Sequence, residues 1–228
     1  MSTTLIVYLI AMFTALLLLG FICNFVLYRQ DRDGKKSKNF FTSERLLIFF
    51  VEILIAVIGF GATLFITNAY ERQIEKEKAM QMIEQVITYT EKQAADERSY
   101  LHMYDKGDID AEKLLKSSVV NSGYYENILT NDFILQNADM NIHGEIMSYL
   151  VWIDQCTTRA HEATEPAKIR AQMYWRYAYF LRVRSLLLLS YDELSGTITQ
   201  EEATAECKRI IHRDLNEEVK LYEKKPSA

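Results

Sequence analysis

Proline is nearly missing from this chain: two in 228 residues, at Pro166 and Pro226, and glycine occurs only eight times. Proline interrupts helix interiors and both residues punctuate turns, so a chain this poor in them, with long stretches of 3.6-residue apolar period, reads as all-α. There are three cysteines and four histidines. No Cys-x2-Cys or His-x3-His pair occurs among them, which removes the usual metal-site spacings. Neither a Gly-x-Ser-x-Gly elbow nor a phosphate-binding loop is present. These gaps leave no catalytic, cofactor-binding or metal-ligating residue to propose. The expectation is a non-enzymatic protein without a cofactor.

Charge is also unevenly placed. Residues 1–70 carry six Lys and Arg against four Asp and Glu, and residues 71–228 carry 20 against 27, a net charge of −7 for the second part. An acidic surface repels phosphate backbones, which argues against nucleic acid as a partner.

What the first part does have is two long apolar runs. Residues 46–67 would form a helix of roughly 33 Å, enough to cross a bilayer core. Residues 5–28 form another such run, with no Lys or Arg before it and no small-residue cleavage site after it, so it reads as a retained span rather than a signal peptide. The loop 29–45 between them is basic, with Arg29, Arg32, Lys35, Lys36, Lys38 and Arg45. The positive-inside rule then places the loop in the cytoplasm and the remainder, 71–228, outside it. Phe40 and Phe41 suit an interfacial aromatic belt, and Thr42 or Ser43 a helix cap. The expected architecture is all-α: a two-helix transmembrane hairpin over 1–70, multi-pass in the cell (inner) membrane, and a soluble helical bundle over 71–228.

After Thr67 the composition turns charged without a Gly or Pro break, while Ile74, Ile83, Ile87, Ala94 and Leu101 continue one helical stripe. The second span is therefore expected to run on as a long amphipathic helix to Tyr104. Asp105 to Asp110, containing Gly107, reads as a turn before a short helix ending near Leu115. Residues 117–131 are the least periodic and are expected to be irregular, with Tyr124, Tyr125 and Ile128 packing on the bundle. Helices follow over 139–164 and 166–194, the second started by Pro166 and ended by Ser195 and Gly196. Thr199 with Glu202 has the pattern of a capping box, opening one last helix that runs through Cys207 to Tyr222.

Few residues stand out as candidate sites. Glu52 is the one ionisable residue in the second span, about 9 Å from its cytoplasmic end, and Asn24 is about 6 Å from the same end of the first. In an antiparallel hairpin they form an intramembrane polar pair, which reads either as a structural hydrogen bond or as part of an ion path. Gly59, Gly61 and Thr63 place small residues on the second span for close helix packing. Cys156 and Cys207 fall on neighbouring helices and are either one disulfide or two buried thiols. His161 with Glu162 and Glu165 reads as a solvated face. The arginines at 170, 176, 182 and 184 are read as partners for the many carboxylates, and the aromatics from Tyr174 to Tyr179 as core.

The runs Glu52-Ile53, Val57-Ile58-Gly59 and Ile66-Thr67-Asn68-Ala69-Tyr70-Glu71 resemble an uncharacterised family of bacterial envelope membrane proteins. In those, a transmembrane helix with a Glu, a mid-span Gly and an Asn-x-x-Glu exit precedes a helical domain. The resemblance is confined to residues 52–71. The leading helix and Tyr70, where a Trp beside the Asn is expected, depart from the pattern. The resemblance implies a bacterial source and a membrane topology but no activity.

Together these readings point to a membrane protein whose helical domain self-associates or binds a protein partner, as a sensor or scaffold in the lipid bilayer. The alternative expectation is an oligomeric pore or membrane-permeabilising effector using Glu52.

Overall fold

A computed structural model describes residues 43–117 and 120–224. The described residues form helices and turns and contain no strand. In order the helices are α1 (Ser43–Lys106), α2 (Ala111–Ser117), α3 (Ser122–Leu129), α4 (Asp132–Asn137), α5 (Met140–Glu162), α6 (Pro166–Ser195), α7 (Gln200–His212) and α8 (Leu215–Lys224). Contacts divide the chain into two units, Met1–Tyr70 and Glu71–Ala228.

Among the described residues, one helix is long and apolar enough to cross a membrane. None of the residues in the 18-residue apolar window of α1 is buried. Ile55, Phe65 and Ile66 are each well over half exposed. A contiguous apolar surface of this kind marks contact with lipid or with another protein. The expected first span over 5–28 and the basic loop up to residue 42 lie outside the described residues, as do Phe40, Phe41 and Thr42.

The second unit has its own core, to which every helix from α1 to α8 contributes at least a partly buried apolar side chain. Ala79, Ile83, Val86, Ile87, Ala94 and Leu101 supply the α1 side, following the stripe written in the sequence. The centre is α6. Phe180, Val183, Leu186 and Leu187 on it are fully buried, because α6 packs against α5, α2, α7 and α8. Each such side chain contributes about 1.5–3 kcal/mol by leaving water.

Helix ends are set by local chemistry. Gly107 and Gly196 take the left-handed φ values of 81° and 79° that close α1 and α6, a conformation that side chains with a Cβ resist. Asp110 accepts the Lys113 N–H at 2.7 Å and so starts α2. Asp139 caps α5 by accepting from Asn141 and Ile142, Pro166 occupies the first turn of α6, and Thr199 and Glu202 form the full reciprocal capping box on α7.

Two expectations are corrected. The stretch 117–131, expected to be irregular, contains α3, capped by the Asn121 side chain, and α4, capped by Asn131, follows directly after it. Helices of eight and six residues are too short to display a period, and tertiary packing stabilises them, through Tyr125 and Leu129 on α3 and Ile134 on α4. The single last helix is in fact two, α7 and α8, with a break at Arg213 and Asp214. There Arg182 of α6 donates to the Ile211 carbonyl at 3.2 Å and the Arg213 carbonyl at 2.7 Å, while Asp214 accepts from the Asn216 N–H. Asp214 is thus a local start signal for α8 that the sequence reading passed over, while the Arg182 bonds that hold the end of α7 come from another helix.

Candidate functional site: a charged and aromatic cleft

The residues singled out in the sequence do not converge on one place. Glu52 lies on α1, with its side chain outside the described residues, and Asn24 is outside them altogether. Gly59 and Gly61 face open space, and the Thr63 hydroxyl donates to the Gly59 carbonyl of its own helix at 2.9 Å. Cys156 on α5 and Cys207 on α7 are free, buried thiols, both pushed up in pKa by burial. Each is followed five residues later by a histidine, His161 and His212. That spacing turns the two side chains about 140° apart on a helix, and both histidines are exposed. His161, Glu162 and Glu165 lie at the surface, where Glu165 pairs with Lys168 at 2.8 Å. Among the described residues no three His, Cys, Asp or Glu side chains cluster as a metal site.

The four arginines of α6 do act together. Arg170 forms a fork to Asp105 at 3.0 and 2.8 Å, and Arg184 reaches Glu91 at 2.6 Å. Arg176 pairs with Glu97 in the interior and also donates to Thr157 at 3.0 Å. Arg182 lies 3.8 Å from Glu218, which accepts from Ser185 and from Arg213. Three of these pairs tie α6 to α1 and the fourth ties it to α8.

Beside this ladder an open cleft of about 490 Å³ lies between α1, α6 and α8. Helix geometry explains its lining. Arg98, His102 and Asp105 recur at i, i+4 and i+7 on α1, and Arg170, Tyr174 and Tyr177 recur with the same spacing on α6. From α8 come Tyr222 and Glu223. The Arg170–Asp105 fork closes one side and holds the Asp105 carboxyl below its ordinary range. Arg98 and Glu223 face each other at 3.8 Å. Tyr174 donates to Asn216 at 3.0 Å, and Arg170 lies over its ring.

Tyr177 lies deepest, only 2% exposed, and its hydroxyl has no hydrogen-bond partner among the described residues. Burial raises its pKa strongly, and the nearby Glu223 charge adds to the effect. The cleft therefore offers aromatic faces, one committed ion pair, one loose ion pair and an unused buried donor.

Sequence reasoning passed over this cleft because the tyrosines were assigned to the core and Asp214 was not recognised as the start of α8. The signal that could have found it is the matching i, i+4, i+7 polar and aromatic spacing on two helices. No family model matches this chain, and no curated protein or solved structure is significantly similar to it.

Proposed function

We propose that the chain is an integral membrane protein whose helical domain, residues 71–228, works by binding, either to another copy of itself or to a protein partner, as a sensor or scaffold. The observation that carries this is the division of labour along the chain: an apolar window of α1 in which no residue is buried, followed by a unit with a core of its own. An exposed apolar helix is stable in lipid, where its backbone bonds are satisfied internally. The basic loop supports a hairpin with the domain outside the cytoplasm. The arginines of α6 support binding over chemistry, since their carboxylate partners already engage them.

The test is fractionation combined with labelling. Cys156 and Cys207 are buried and slow to react, so a Glu201→Cys variant supplies an exposed thiol on α7. The expected result is a protein that resists alkaline carbonate and reacts at position 201 with an impermeant maleimide in intact cells. Carbonate extraction would overturn the membrane assignment, and labelling only after cell opening would reverse the orientation. A large closed ring in native lipid, with ion conductance abolished by Glu52→Gln, would replace the reading with a pore.

A further inference from the structure

We infer that the cleft between α1, α6 and α8 binds a small organic monoanion, a carboxylate carried on a flat or apolar body. The inference rests on reading residues 71–228 as a binding domain, and it is independent of which side of the membrane that domain occupies.

Hydrogen-bond capacity points to an acceptor. Tyr177 lines the cleft, and its hydroxyl is buried beneath that surface and lacks a partner among the described residues. Leaving such a donor unpaired in the interior is costly, so a protein that keeps one has a use for it. Arg98 is the second source. Its Nε meets Glu223 only at 3.8 Å, beyond hydrogen-bond range, and its side chain is half exposed. The Arg170 fork, by contrast, is engaged by both oxygens of Asp105. Arg98 is thus the guanidinium in the cleft with donors to spare, and its planar fork suits a carboxylate in a bidentate pair.

Charge sets the limit on the ligand. Asp105 and Glu223 line the same space, so a dianion such as phosphate is repelled, whereas one negative charge is met by Arg98. The rings of Tyr174 and Tyr222 provide flat apolar contact for the remainder of the molecule. A volume of about 490 Å³ falls within the range of small-molecule sites.

Benzoate is the probe, titrated by calorimetry against the full chain in lipid nanodiscs, with inorganic phosphate and choline as competitors. Saturable benzoate binding is expected, with neither competitor displacing it. Arg98→Gln and Tyr177→Phe should each weaken it about ten-fold or more. Tyr177→Phe deletes a single hydroxyl and is expected to keep or raise the melting temperature of the unliganded protein, a result opposite to that of a hydroxyl serving the fold. Should Arg98→Gln fail to fold, Tyr177→Phe still decides the matter. Absence of saturable benzoate binding, undiminished binding in Tyr177→Phe, or displacement by phosphate or choline would overturn the inference. The mass of the particle is read in the same samples: a self-associated chain that ignores benzoate sinks the ligand alone, and a monomer that captures neither ligand nor protein sinks the binding reading as well.

Discussion

Arg176 on α6 and Glu97 on α1 form an ion pair with side chains only 2% and 1% exposed. Two charges out of water are tolerated because they meet each other and because Thr157 accepts a further bond from Arg176. The pair fastens the long helix to the centre of the core. Replacing one member, as in Arg176→Met, leaves Glu97 as a buried carboxylate that has lost its cation, and should cost about 3–5 kcal/mol. The double variant Arg176→Met with Glu97→Leu should recover much of that loss. Denaturant unfolding of the two proteins checks both numbers, and equal destabilisation by the single and double variants would contradict the account.

Arg182 offers a second, local test. It joins the end of α7 to α6 through the Ile211 and Arg213 carbonyls and lies beside Glu218 of α8. Arg182→Met removes the donors that end α7. Amide exchange in α8 should quicken by an order of magnitude or more, while α5 is little changed, since loss of charged hydrogen bonds costs about 1.5–3 kcal/mol each. Uniform acceleration over all helices would show that the residue supports the whole core instead.

A pair of carboxyl groups makes the pH dependence readable. Burial holds Glu193 above its ordinary pKa, with the Asp139 charge adding to it, and Glu193 Oε2 has no partner among the described residues. Asp139 is different: burial pushes it up, but the hydrogen bonds from Asn141, Gln200 and Ile142 outweigh that and hold it below its usual range. A raised carboxyl binds its proton more tightly when folded, so Glu193 weakens the fold in full above its folded pKa, and the penalty shrinks as pH falls through that value and is gone below the unfolded value of about 4.3. Asp139 contributes stability above its unfolded value of about 3.9, lost as pH falls through its lower folded pKa. Glu193→Gln should therefore melt at or above the wild-type temperature at pH 7.5, with the difference closing near pH 4. Asp139→Asn should melt lower at pH 7.5 and approach wild type in acid. Thermal scans across that range check both signs.

How much of this was legible in the sequence depends on whether the cause was local. The α1 stripe from Ile83 to Leu101, the Pro166 start of α6 and the capping box at Thr199 were readable because each acts within one or two helical turns. Pairing of the α6 arginines with carboxylates was readable in kind but not in partner, since Glu91, Glu97 and Asp105 are 65 to 93 residues distant. The break between α7 and α8 was readable only in part: Asp214 is a local cap for α8 that was not recognised, and the Arg182 bonds that hold the end of α7 come from another helix. That break positions Tyr222 and Glu223, so the cleft was hidden for the same reason.

The exposed apolar surface of α1 yields the last prediction. Ile58 is 61% exposed and near the middle of the expected span. In water an exposed Ile→Arg change is close to neutral or helps solubility, because it removes apolar surface. In the middle of a bilayer the same change costs about 3–4 kcal/mol, the difference between a favourable isoleucine and an unfavourable arginine on insertion scales. Ile58→Arg should therefore move protein from the carbonate-resistant membrane fraction to the soluble or degraded fraction, whereas Glu77→Arg, at an exposed site in the charged part of the same helix, should leave the partition unchanged. Equal partition of both variants would mean that this face of α1 meets protein or water instead of lipid, and the apolar window would then be a docking surface in an assembly.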